Sequence, residues 1–140
     1  MSFTEKDYNL LTEKIIETCI EVHSELGPGL LESVYEVCTM SLLKKKGIQV
    51  ASQVKLPVSF KGEVLEKDFI IDILVEDKIV LELKTVEVLL PIHEAQLLTY
   101  LKLSNRKLGL LINFNVPLLK QGIRRKITGN LNSVQLQKTL

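Results

Sequence analysis

Ile70-Ile71-Asp72-Ile73-Leu74-Val75-Glu76-Asp77-Lys78-Ile79-Val80-Leu81-Glu82-Leu83-Lys84 decides the fold. Two apolar runs rich in β-branched residues flank a short polar break, the pattern of two buried strands joined by a hairpin. The runs predict strands over Val64–Val75 and Lys78–Lys84, with Glu76-Asp77 as a tight turn between them. Each run carries charge where a buried strand should carry none: Asp72 in the first, Glu82 and Lys84 in the second. A buried charge is costly unless it is paired, hydrogen-bonded or bound to a metal. Glu82 and Lys84 are two residues apart and so share one face of their strand. Whether Asp72 joins them depends on the turn. If Val75 pairs with Ile79 around a three-residue loop, Asp72 lies opposite Glu82, with Cβ atoms about 4.5–5.5 Å apart. A two-residue loop sends the two carboxylates to opposite faces.

Working upstream, Val54, Leu56, Val58 and Phe60 alternate as a strand does, and Lys61-Gly62 is a plausible turn into the next. Before that lie two helical patterns. Leu11, Ile15, Cys19 or Val22, and Leu26 recur at helical steps over Thr4–Leu26, and Thr4 with Asp7 fits a capping box. Gly27-Pro28-Gly29 stops this helix. A second runs over Leu30–Lys46 and ends at Gly47 after a lysine-rich last turn suited to the helix dipole. Downstream, Pro91 opens a helix to about Leu103. Lys107–Asn113 reads as a buried strand and Gly122–Ile127 as an edge strand. The last ten residues are expected to fray. The order is helix, helix, three strands, helix, strand and a further edge strand. The simplest architecture is one α/β domain over residues 1–140: a mixed sheet covered by helices.

Composition narrows the function. The chain has 140 residues, is 46% apolar and carries a formal charge of +1. That is material for one aliphatic core, and it excludes a disordered chain. No global basic field announces a nucleic-acid binder, so any attraction for phosphate must be local. Lys44-Lys45-Lys46 and Arg124-Arg125-Lys126 are the two candidate patches, each more ordinarily a solvated surface. Cys19 and Cys38 lack metal-site spacing and read as small core residues of a reducing compartment. Only His23 and His93 are available beside them, too few for a zinc site. No leader pattern opens the chain and no apolar run approaches about 18 residues, so a soluble, cytoplasmic protein is expected.

Asp72 and Glu82 repel unless something positive lies between them. Lys84 is one candidate and a divalent cation is another; Mg2+ prefers a few carboxylates, waters and phosphate oxygens. The bland alternative is a Glu–Lys pair at a solvated sheet edge. Gln96 and Tyr100 are four apart on one face of the third helix, where an amide and a phenol could orient water or phosphate. His93 shares that face, and for it a plain helix-surface role is preferred. Glu32, in the first turn of the second helix, would alone be only a dipole partner. Tyr35 reads as a core residue before a site residue.

Taken together, an acid on an early helix, an Asp, then Glu-x-Lys, then Gln on the next helix resembles the core of the PD-(D/E)XK nuclease superfamily. Gly29-Leu30-Leu31-Glu32-Ser33-Val34-Tyr35 resembles, within it, the signature of the bacterial and archaeal GxxExxY protein family, and the match extends over roughly Leu11 to Ile127. The resemblance implies a restriction-endonuclease-like mixed sheet, ααβββαβ(β). It implies that Asp72, Glu82, the Leu83 carbonyl and Glu32 hold Mg2+ or Mn2+. It further implies that Lys84 positions or activates the attacking water and that Gln96 matches the helix glutamine of the exonuclease-like branches. Ile71 stands where the motif usually has Pro. The expected activity is metal-dependent phosphodiester hydrolysis of DNA or RNA. The alternative is a non-catalytic nucleic-acid or protein-binding module on the same fold; a homodimer or a protein partner would supply the surface that a domain of this size lacks.

Overall fold

A computed structural model describes residues 2–132. The expectation of fraying concerns residues 131–140, most of which lie outside that range. Helix α1 spans Glu5–Leu26 and α2 spans Glu32–Lys45. Strands β1 (Val50–Phe60), β2 (Glu63–Val75) and β3 (Ile79–Lys84) follow, then α3 (Pro91–Ser104), β4 (Leu108–Asn113), a short 3-10 turn (Leu119–Gly122) and β5 (Ile123–Ile127). The capping box is present: Thr4 Oγ1 accepts from Asp7 N at 3.2 Å, and Asp7 Oδ2 accepts from Thr4 N at 2.8 Å. Strand β1 starts four residues before the alternation that marks it in the sequence. No helix among the described residues is long and apolar enough to cross a membrane.

The five strands lie in the order β1-β2-β3-β4-β5. Only β3 and β4 run parallel, because α3 carries the chain back across the sheet between them. The alternating strand residues feed two cores. Ile73, Val75, Ile79, Leu81, Leu83, Leu108, Leu110 and Ile112 pack against Leu11, Ile15, Cys19 and Val22 of α1 and Tyr35 and Leu43 of α2. Leu74, Val80 and Leu111 pack instead with Leu97, Tyr100 and Leu101 of α3. Leu97 and Leu101 are fully buried, and each contributes roughly 1.5–3 kcal/mol of transfer free energy to holding α3 down. Gly109 lets α3 come close: a Cβ there would stand 2.7 Å from Leu97 Cδ1. Cys19 is buried and Cys38 half-buried, and both are free thiols.

Besides the register shift between Pro57 and Ser59, strict alternation fails where β1 and β2 pass from one core to the other. Ile71 has the parity of Ile73, yet it packs in the α3 core while Ile73 packs in the other. On β1, Val50 packs against the α1–α2 core and Val54 against the α3 core. The two strands therefore change sides together. The switch lies between the pairs Ser52↔Ile73 and Val54↔Ile71, and the pair between those, Gln53 with Asp72, is missing from the ladder. Gln53 has φ 51° there, in the left-handed region, which costs a non-glycine residue on the order of 1–2 kcal/mol.

Candidate active site

The sequence left the register of the β2–β3 hairpin open, and the structure resolves it. Val75 pairs with Ile79, so the loop is the three residues Glu76–Lys78, closed by Lys78 N donating to Val75 O at 2.9 Å. The expected two-residue turn at Glu76-Asp77 is corrected by one residue. Glu76 and Asp77 both take left-handed φ, 52° and 57°, which Asp tolerates better than most residues. With this register Asp72 and Glu82 meet.

How they meet defines the site. The ladder between β2 and β3 ends at Ile73↔Leu81. Beyond it the strands exchange side-chain bonds. Asp72 N donates to Glu82 Oε2 at 3.0 Å, and Leu83 N donates to Asp72 Oδ2 at 2.8 Å. Each carboxylate takes the place of a main-chain acceptor on the other strand, and charged acceptors make such bonds roughly twice as strong as neutral ones. Glu82 is 5% exposed while Asp72 and Lys84 are half-buried, so the pair is open on the Asp72 side.

The electrostatics are those of crowded, partly dehydrated acids. Burial lifts the Glu82 carboxyl to about 8, and the Asp72 charge adds to the rise; the Asp72 N–H and the Lys84 ammonium oppose it. Burial also raises Asp72, against the Leu83 N–H, Lys84 and the Gln53 side chain. Glu32 is raised by burial and then by the Asp72 charge, with Lys84 opposing. Tyr100 of α3 is raised by burial and then by the Glu82 and Asp72 charges. Several carboxylates thus share one neighbouring ammonium.

Glu32 reaches this neighbourhood through Tyr35. The Tyr35 ring is fully buried and stacks on Phe114 at 4.5 Å. Its hydroxyl donates to Gly27 O at 2.6 Å and accepts from Leu30 N at 3.2 Å. Tyr35 is the core residue expected, and it also pins the turn that launches α2 at Glu32. His93 caps its own helix, with Nδ1 accepting from Leu90 N at 3.0 Å. Gln96 is exposed on α3, one turn before Tyr100. The basic patches are largely engaged locally. Lys46 pairs with Glu21 at 2.7 Å, Lys126 with Glu94 at 2.5 Å, and Arg125 donates to Asn9 Oδ1.

Three residues at the site escaped the sequence reading. Glu36 lies one helical turn after Glu32, a spacing that could have flagged it, and it accepts from Gln53 Nε2 at 2.7 Å. Gln53 carries no signal in the sequence. Asn113 pairs with Lys84 across the β3–β4 ladder and is buried. Its Oδ1 accepts from Val86 N at 3.1 Å and its Nδ2 donates to Val86 O at 2.8 Å, clamping the segment that leaves Lys84. A lone amide ending an otherwise apolar strand was its signal.

Among the described residues, no three His, Cys, Asp or Glu side chains stand together at metal-ligand spacing. Asp72 and Glu82 would offer oxygen donors, with the carbonyl of Leu83 next in sequence. That set fits a hard cation such as Mg2+, which completes its shell with water and substrate oxygens. The observation in its favour is geometric: the reciprocal bonds of Asp72 and Glu82 bring two carboxylates together where the ladder ends.

The helices flanking a mixed sheet, and the acids where two strands part, define a restriction-endonuclease-like nuclease fold. Residues 9–126 match the PD-(D/E)XK nuclease superfamily, and the chain belongs to it. Among solved structures it is similar to the crystal structure of SSO0001, with 21% identity, a TM-score of 0.50, and coverage of 76% of this chain and 54% of that one. That likeness concerns the fold, and this chain spans about half the length of its counterpart. No curated protein matches the chain.

Proposed function

We propose that the chain is a metal-dependent nuclease of the GxxExxY group, one domain that hydrolyses phosphodiester bonds in DNA or RNA. The observation that carries this reading is the reciprocal bonding of Asp72 and Glu82 where β2 and β3 separate, with Lys84 two residues further along β3. Asp72, Glu82 and the Leu83 carbonyl would hold Mg2+ or Mn2+, with Glu32 and Glu36 acting on it from α2. Bound there, the cation supplies Lewis-acid polarisation of a phosphoryl oxygen and of the attacking water.

The rest falls to the chain's own groups. Glu82, held by the Asp72 N–H, fixes the dry side of the site, and Asp72 fixes the open side. Lys84 has three N–H donors and no lone pair when protonated, so it acts on water and phosphate and not on the metal. It orients the nucleophile and stabilises charge that develops on phosphorus oxygens. Asn113 limits its travel by clamping Val86. Gln96 and Tyr100 line α3 at one-turn spacing, where an amide and a phenol can hydrogen-bond substrate oxygens. A cytoplasmic setting fits the free thiols, and a homodimer or a protein partner would widen the nucleic-acid surface.

The second reading is a nucleic-acid or protein adaptor on the same scaffold, favoured by the formal charge of only +1. One assay separates them: labelled single- and double-stranded DNA and RNA incubated with Mg2+ or Mn2+. A nuclease cleaves at least one of these and stops on chelation. Lys84→Ala should lower the rate by about 100-fold or more, the scale of a lost proton-handling group, while cation binding persists. Asp72→Ala should lose both. Binding without cleavage in the wild type supports the adaptor. Cleavage that survives Lys84→Ala, Glu82→Ala and chelation alike places the chemistry elsewhere.

A further inference from the structure

We propose that Gln53 is a positioning residue: a left-handed turn inside β1 aims its side-chain amide at two carboxylates, tying Asp72 to Glu36 of α2. This rests on the reading of Asp72 and Glu82 as a cation site and adds to it the device that orients Asp72.

The backbone supplies the first argument. Gln53 is the only non-glycine residue with positive φ inside a strand among the described residues; Lys61, Glu76, Asp77 and Asn105 lie in turns or at a helix end. The ladder keeps one register on both sides of it, Ser52↔Ile73 and Val54↔Ile71. No residue has been inserted, so the unfavourable conformation is not the by-product of a bulge that shifts pairing. It turns the hairpin over at one pair, and that pair is Gln53 with Asp72. An unfavourable backbone conformation that the surrounding structure maintains marks a candidate functional position.

The side chain supplies the second. Gln53 Nε2 donates to Glu36 Oε1 at 2.7 Å. The same residue stands opposite Asp72, between the pairs Ser52↔Ile73 and Val54↔Ile71, and its side chain opposes the burial-driven rise of the Asp72 carboxyl; that carboxylate also accepts from Leu83 N at 2.8 Å. A primary amide has two N–H donors and carries no charge. It can therefore bridge two acids that would otherwise repel, without neutralising either. A lysine here would cancel the charge that a cation needs; a hydroxyl has one hydrogen and cannot serve both. Bonded to the Leu83 N–H from β3 and acted on by the Gln53 amide from β1, the Asp72 carboxylate is oriented from two strands. Lone pairs remain on it for a cation, since a carboxylate offers about four acceptor sites.

The test uses Mn2+ as the probe and thermal melting as the readout, with cleavage measured in parallel. Glycine adopts the Gln53 backbone conformation without strain, so Gln53→Gly should melt no lower than wild type in chelator. Its Mn2+ concentration for half-maximal stabilisation should rise roughly 10–100-fold, the usual effect of losing a group that orients a metal ligand. Gln53→Asn keeps an amide and tolerates the left-handed region, and should recover part of that loss. An unchanged Mn2+ half-saturation in Gln53→Gly, beside an Asp72→Ala variant that loses the Mn2+ shift, overturns the proposal and spares the cation site. A lower melting temperature in chelator with unchanged half-saturation makes Gln53 merely structural and overturns it equally. A wild type that shows no Mn2+ shift at all overturns both.

Discussion

Glu82 is where residue chemistry and stability meet. Its carboxyl is pushed up to about 8 from an ordinary 4.5, chiefly through burial. Between those values the folded chain keeps a proton that the unfolded chain has released. Folding stability must then fall as pH rises through the window. The contribution is complete below about 4.5 and gone above about 8, and Asp72, also raised, pulls the same way. In chelator the wild-type melting temperature should drop over this range, and Glu82→Gln, which cannot ionise, should show a flatter profile and melt higher at the alkaline end. A wild-type profile that climbs with pH across the window contradicts a burial-driven shift. Asp72, Glu82 and Lys84 were legible in the sequence because charge in an apolar strand has few inexpensive explanations. Gln53 was not, because an exposed glutamine in a strand breaks no rule. Its meaning comes from a backbone angle that glutamine does not advertise.

At the scale of elements, the helices were legible to within a few residues, since caps and stops are local chemistry. Thr4 and Asp7 bracket the start of α1 and Gly27 ends it. The β2–β3 turn was misjudged because its two left-handed residues are Glu76 and Asp77, with no glycine to signal them. The change of sides in β1 and β2 was invisible for a related reason: Ile71, Ile73 and Val75 keep a period of two and read as one face, although the sheet turns over between the first two. The junction beyond β4 offers a test. A Cβ at Gly122 would lie 2.3 Å from the Asn113 carbonyl oxygen, a main-chain atom that cannot rotate away. Gly122→Ala should therefore destabilise the fold by about 1–3 kcal/mol, as overpacking does, seen as a lower urea midpoint. Because Asn113 clamps Val86, the same change should slow any cleavage that depends on Lys84. An unchanged midpoint would mean that the 3-10 turn is not seated against β4 as described.

Across the whole molecule, one sheet separates two cores, and the acids sit where its central antiparallel pair comes apart. That arrangement was legible as an order of elements because apolar periodicity survives without tertiary context. Which helix covers which face was not, since it depends on packing between distant segments such as Leu97 and Gly109. The near-neutral charge of +1 leaves no long-range field, so any recognition of a polyanion would be local. The cation proposed at Asp72 and Glu82 is the central claim, and anomalous diffraction from crystals soaked in millimolar Mn2+ tests it most directly. Such crystals should show an anomalous peak within coordination distance of both Asp72 and Glu82 and beside the Leu83 carbonyl, absent in Asp72→Ala crystals treated alike. Crystals whose Asp72–Glu82 pair stays without a peak, or whose Mn2+ binds only elsewhere, would contradict it.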